Sequence, residues 1–193
     1  MLSIQVGNVN VHFEPLIAVA ILIGIILIFQ IMRSVILEIQ SKQISKNILE
    51  GNYDDIIKNG ERLLKIYKKN NSRLSTKVLV AKIEYLNFAL AVSYFAKSND
   101  EQFLEHINDL KQNNNIKVFW ISLFHLQKED FETAKVLYDE IESCDENHIN
   151  ITFLDSYLSY KQGNFTMARE KMTEIYDTLN HIVLKQIADE ILK

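Results

Sequence analysis

Residues 162–175 read QGNFTMAREKMTEI, and residues 128–141 read KEDFETAKVLYDEI. Set side by side at an offset of 34 residues, they share one pattern. A polar pair ends in Asn164 or Asp130, an aromatic follows at Phe165 or Phe131, and alanine stands at Ala168 or Ala134. Met172 or Tyr138 and then Ile175 or Ile141 complete it. Beyond the turn the apolar positions recur at three and four residues, the period of a helix that buries one side. A polar pair just before such a run marks a tight connection between two helices. A third copy is Glu50-Gly51-Asn52-Tyr53 with Ile56. Ser98-Asn99-Asp100, followed by Phe103, Leu104 and Ile107, reads as a degenerate fourth.

Polar clusters at these turns and around 69–72, 112–115, 144–147 and 178–180 divide the chain beyond Met32. They predict helices over 52–69, 73–97, 100–112, 115–128, 130–143, 147–161, 164–177 and 180–192. Before them one long helix is expected from Pro15 to Leu49. The only proline is Pro15, where a missing N–H costs a helix nothing, so no later segment is broken from within. Residues 78–95 have the widest apolar face and read as the central, most buried helix. Lys82, Glu84, Asn87 and Ser93 argue against a second membrane span there. The last helix presents Ile182, Val183, Ile187 and Ile191 on one side and is expected to cap the array. The expected fold class is therefore all-α.

The Gly/Glu-Asn/Asp-aromatic turn, with a small residue three positions on, resembles the stretch that joins the two helices of a tetratricopeptide repeat. The resemblance covers 116–147 and 149–182, and part of 43–69. The chain departs from the family where Trp-x-x-Leu-Gly-x-x-Tyr would open a repeat. Val118, Ile121, Ser122 and His125 stand there in one unit, and Thr152, Asp155, Ser156 and Ser159 in the next. The proline that usually closes a repeat is also missing. The resemblance implies antiparallel hairpins stacked into a solenoid, with a groove lined by the first helix of each pair. By that register Phe119, Leu123, Asn150, Phe153, Tyr157, Tyr160 and Lys161 are candidate groove residues for an unidentified protein or peptide partner. The alternative for Phe153 and Tyr157 is a place in the core.

Residues 16–29 read LIAVAILIGIILIF, and after Gln30 the run continues through Ile31 and Met32. Seventeen residues, Leu16–Met32, span about 26 Å as a helix, close to the roughly 30 Å of a hydrocarbon core. No Lys or Arg precedes the run and no Ala-x-Ala follows it, as a cleaved secretory signal would require. The division expected is a short extracytoplasmic tail at 1–14, a transmembrane helix at 15–32, a juxtamembrane continuation with the first repeat helix at 33–51, and a repeat domain at 52–193. Arg33, Lys42 and Lys46 follow the span, so the positive-inside rule places the C-terminal domain in the cytoplasm and the N-terminus outside a single-pass cell membrane protein. Leu37, Ile44 and Ile48 lie along one side of the continuing helix and suggest that it packs on the domain.

Chemistry is sparse. Lys and Arg number 21 against 25 Asp and Glu, a net charge of -4, which disfavours nucleic acid as a partner. One cysteine, Cys144, rules out an intrachain disulfide, and its acidic neighbours Asp145 and Glu146 oppose thiolate formation. The histidines at 12, 106, 125, 148 and 181 show no metal-ligand spacing, and no glycine stands in a phosphate loop. No catalytic residue, metal or cofactor is expected, and the chain is read as no enzyme. The densest basic patch is Lys58, Arg62, Lys65 and Lys69, near one helical face and suited to anionic lipid. The function expected is a membrane-tethered protein-interaction module, scaffold or assembly factor. The alternative is a structural subunit at the membrane surface whose groove is filled by its own terminal helix.

Overall fold

The computed structural model describes residues 2–6, 9–13, 15–71, 76–111, 114–141 and 148–193, with side chains from Ile17 onward. The chain forms two compact units, Met1–Lys42 and Gln43–Lys193. The class is all-α, with one exception in the tail. There, strands β1 (Leu2–Val6) and β2 (Val9–Phe13) pair antiparallel, with Val6 opposite Val9 and Leu2 opposite Phe13. The sequence alternates apolar and polar residues through 2–6 and 9–13, with Gly7-Asn8 between, which is the period and turn chemistry of a hairpin.

Helix α1 runs from Pro15 to Glu50. From Ile17 through Ile36 its apolar side chains are exposed almost without exception, Phe29 at 73% and Ile31 at 63%. That stretch is long and apolar enough to cross a membrane. The character changes in the second unit, where Ile44 and Asn47 are buried and Ile48 is half-buried.

The second unit continues with α2 (Tyr53–Asn71), α3 (Lys77–Ala96), α4 (Asp100–Asn108), α5 (Asn114–Gln127), α6 (Phe131–Asp139), α7 (His148–Lys161), α8 (Phe165–Ile175) and α9 (Ile182–Leu192). The expected boundaries hold within a few residues. The largest differences are α4, which stops at Asn108 where 112 was expected, α6, which stops at Asp139 where 143 was expected, and α3, which starts at Lys77 where 73 was expected. A short 3-10 turn, Tyr176–Thr178, follows α8. Helix α3 also has the length and composition of a span. Leu86, Asn87, Ala89, Leu90, Ala91, Val92, Ser93 and Phe95 are buried in the unit, however, so its apolar surface serves the core.

One turn is built four times. Gly51, Ser98, Glu129 and Gly163 all take the left-handed conformation, with φ of 71°, 55°, 60° and 82°. The next residue in each case donates its N–H five residues back. Asn52 bonds the Asn47 carbonyl (2.9 Å), Asn99 that of Tyr94 (2.9 Å), Asp130 that of His125 (3.0 Å) and Asn164 that of Ser159 (2.8 Å). This is the six-to-one bond that closes a helix with a left-handed residue. The same Asn or Asp begins the next helix, and its carbonyl accepts from the residue four ahead: Ile56, Phe103, Ala134 or Ala168. Those residues are buried at 0%, 0%, 2% and 0% exposure. The turn at Ser98 therefore has the same geometry as the others, although its sequence looked degenerate. The nearest-neighbour pairs α3 with α4, α5 with α6 and α7 with α8 follow from these turns, and α5 also packs along α7.

Candidate functional site

The inner side of the α5–α8 hairpins is aromatic and closed. Phe119 (2% exposed), Leu123 (0%), Phe153 (0%) and Tyr157 (5%) are core residues. Phe119 and Phe153 meet edge to face with centroids 6.0 Å apart. An open groove lined by these four side chains is therefore not present. The three remaining groove candidates are only half-buried. Asn150 lies in the first turn of α7. Tyr160 packs edge-on to Phe165 at 5.6 Å, and the Lys161 ammonium lies over the Tyr157 ring at 5.6 Å.

Phe119 and Phe153 face each other where α5 packs along α7. Helix α9 packs on α8, and its Val183, Leu184, Ile187, Ala188 and Ile191 are buried in the same continuous cluster. The helix is held at both ends and along its side. A methyl group on Gly51 would come within 3.3 Å of Ile182, so the first turn of the array closes onto the start of α9. Near its far end Arg169 donates from Nε to the Ile191 carbonyl (3.4 Å), and the Tyr176 hydroxyl donates to Asp189 (2.7 Å). Burial, with the Glu190 carboxylate of α9 adding to it, pushes the Tyr157 phenol up to about 12. The residue that precedes α9 is His181, half-buried but with both ring nitrogens buried. His181 lies edge-on to Trp120 at 5.4 Å, and neither of its ring nitrogens has a hydrogen-bond partner. Burial lowers its pKa to about 4, so the ring is neutral at ordinary pH.

A second polar cluster ties α2, α3 and α4 together. His106 is 4% exposed and lies between Asn87 Oδ1 (Nδ1, 3.2 Å) and Glu61 Oε1 (Nε2, 2.9 Å). Its ring stacks on Tyr94 at 5.6 Å, and the Tyr94 hydroxyl donates to Glu61 at 3.4 Å. Glu61 and burial together raise the Tyr94 phenol above its ordinary value, burial being the larger cause. In the sequence Asn87 is a polar interruption of an apolar helix. His106 supplies the partner that makes its burial tolerable.

His125 is half-buried and holds Asp130 at 3.0 Å across the α5–α6 turn. The Asp130 carboxyl falls below its ordinary range mainly through bonds from Thr133, with His125 adding to them. Cys144, Asp145 and Glu146 lie outside the described residues. The basic set Lys58, Arg62, Lys65 and Lys69 is exposed throughout. It lies on the side of α2 away from the buried Ile56, Gly60, Leu63, Leu64 and Tyr67.

Neither a protein-family model, nor a curated protein, nor a solved structure matches this chain.

Proposed function

We propose that the chain is a single-pass membrane protein whose C-terminal unit is a scaffold or assembly module of the tetratricopeptide-like kind, facing the cytoplasm. One observation carries the reading. An apolar helical stretch with its side chains exposed, Ile17–Ile36, is followed in the same chain by a helical array in which one turn recurs four times. Repeat arrays of this kind act through surface and shape. The lack of an Ala-x-Ala motif after the span supports a retained anchor over a cleaved signal.

The second reading is a structural subunit whose groove is filled by its own last helix, and the placement of α9 favours it. A partner reaching Phe119, Phe153 and Tyr157 must first open the core that they share with α9. The outer cleft beside α6, bordered by Phe131, Val136 and Leu158, stays open to a partner without any rearrangement. The test compares the full chain with one ending at Asn180, each purified in mild detergent after cross-linking in its own membranes. A defined protein partner on the full chain, at a fixed ratio, supports the scaffold reading. A partner gained only by the shortened chain, with its helix content intact, makes α9 a displaceable occupant of the groove. Absence of any protein partner from both, with both folded, overturns the interaction module.

A further inference from the structure

We propose that the basic stripe of α2 is a docking face for an anionic lipid surface. Lys58, Arg62, Lys65 and Lys69 follow one another at four, three and four residues, so they stand in a single row along α2. All four are exposed, while the opposite side of the helix is packed into the unit. The arrangement of the nearby acids strengthens the row. Glu61 is turned to His106 and Tyr94. Asp54 is paired with Lys97 (2.8 Å), and Asp109 with Lys68 (2.8 Å). Asp55, in the first turn, is the one α2 carboxylate left on the side of the row. Lys58, Arg62 and Lys65 have no ion pair among the described residues. Three of the row's charges, Lys58, Arg62 and Lys65, are thus left unpaired on a chain whose net charge is -4.

Charge complementarity selects the occupant. Phosphate headgroups present a flat sheet of negative charge that a straight, exposed row of Lys and Arg can meet without specific pockets. Nucleic acid fits less well. Its single strands are held by stacking on exposed aromatics as well as by charge, and Tyr67, the aromatic near the end of the row, is buried at 4% exposure. The row stands on α2, the helix next in the chain after α1, so a tether through the apolar stretch of α1 keeps it at raised local concentration near a bilayer. The proposal deepens the membrane-tethered reading by naming a second, electrostatic contact.

The test keeps the two readings apart. The full chain is placed in discs of neutral phosphatidylcholine and asked to capture separate vesicles containing phosphatidylglycerol. Capture should occur at low salt, fail with phosphatidylcholine vesicles, and fall steeply as salt shortens the screening length. Each neutralised charge should weaken it about five-fold. The triple variant K58E/R62E/K65E should therefore lose more than a hundredfold, on the order expected for several charges acting together. The control K135E/K185E/K193E makes the same change of net charge at exposed positions elsewhere and should lose little. Circular dichroism checks both folds, and K58Q/R62Q/K65Q replaces the first variant if it unfolds. Equal losses in the stripe and control variants overturn the proposal, as does capture that ignores phosphatidylglycerol. Preferential capture of an RNA oligonucleotide by the same lysines overturns it in favour of nucleic acid. A chain that fails to stay in the discs counts against the span, and is seen before any vesicle is added.

Discussion

Ala134 and Ala168 occupy the same place in the repeated turn, yet the structure predicts unequal responses to a larger side chain. Ala168 is completely buried, and its carbonyl accepts the Ser156 hydroxyl at 2.6 Å, which pins α8 to α7. A leucine there has to push those helices apart or break that bond. Overpacking of this kind costs about 1–3 kcal/mol, and the Ser156 contact puts Ala168→Leu toward the upper end. Ala134 is nearly as buried but borders a narrow cleft with Leu126, Tyr138 and Leu158, with room for about one water molecule. Part of the added volume goes into that cleft, so Ala134→Leu is expected to cost about 1 kcal/mol. Trp120, the only tryptophan and 3% exposed, reports unfolding of the same core. Urea titration of the full chain in mild detergent, followed by its fluorescence, should show a midpoint lowered by roughly 1–2 M for Ala168→Leu and by much less for Ala134→Leu. Tyr160→Ala, half-buried against Phe165, should fall below both. Equal losses at the two alanines, or the reverse order, would refute the assigned packing of the α7–α8 hairpin.

His181 should make the fold acid-sensitive. Its folded value of about 4 lies below the ordinary 6.5, so the unfolded chain takes the proton first as pH falls. The stabilising effect is complete above pH 6.5 and disappears toward pH 4, by about 1 kcal/mol on reaching pH 5.5 and about 3 in all. Urea midpoints measured against pH should flatten in His181→Phe. At Gly163 nothing lies within 4 Å of an added Cβ, so Gly163→Ala should cost only the backbone strain of its positive φ, about 1 kcal/mol. Glu129→Gly and Ser98→Gly should instead raise the midpoint, because those residues already bear that strain. The chain should stay in the pellet through carbonate and high-salt washes of its membranes. Release with an intact N-terminus refutes the anchor.

The four turns were readable from sequence because their chemistry is local. A left-handed residue, an Asn or Asp that both closes one helix and starts the next, and a small or apolar residue four positions later are all set within a handful of positions. The turn at Ser98 looked irregular because Asp100 follows Asn99 where Tyr53, Phe131 and Phe165 follow in the other copies. The six-to-one bond from Asn99 forms all the same. The tail hairpin was equally local, with Leu2, Ile4 and Val6 answered by Val9, Val11 and Phe13. Its alternation is short beside the much stronger apolar run that follows.

The groove failed for a different reason, which is also why α9 matters. Periodicity shows that Phe119, Phe153 and Tyr157 face away from solvent-side polar residues. It carries nothing about what covers them, since a peptide, a second chain and the chain's own last helix require the same apolar row. The amphipathic pattern of 182–192 was equally legible, and equally silent about its destination. The match between the two surfaces is a long-range fact. It depends on the path through Tyr176–Thr178 and on Gly51 being small enough for Ile182 to approach. The polar pieces that fix this arrangement are scattered too. His106 meets Glu61 across 45 residues, and His181 meets Trp120 across the α5–α9 interval. Two histidines that share no motif, His106 buried and His181 half-buried, thus mark where the fold is held together at long range. One is satisfied on both ring nitrogens, the other on neither. The unsatisfied ring lies at the entrance to α9, so the last helix starts from the least satisfied polar group described in that core.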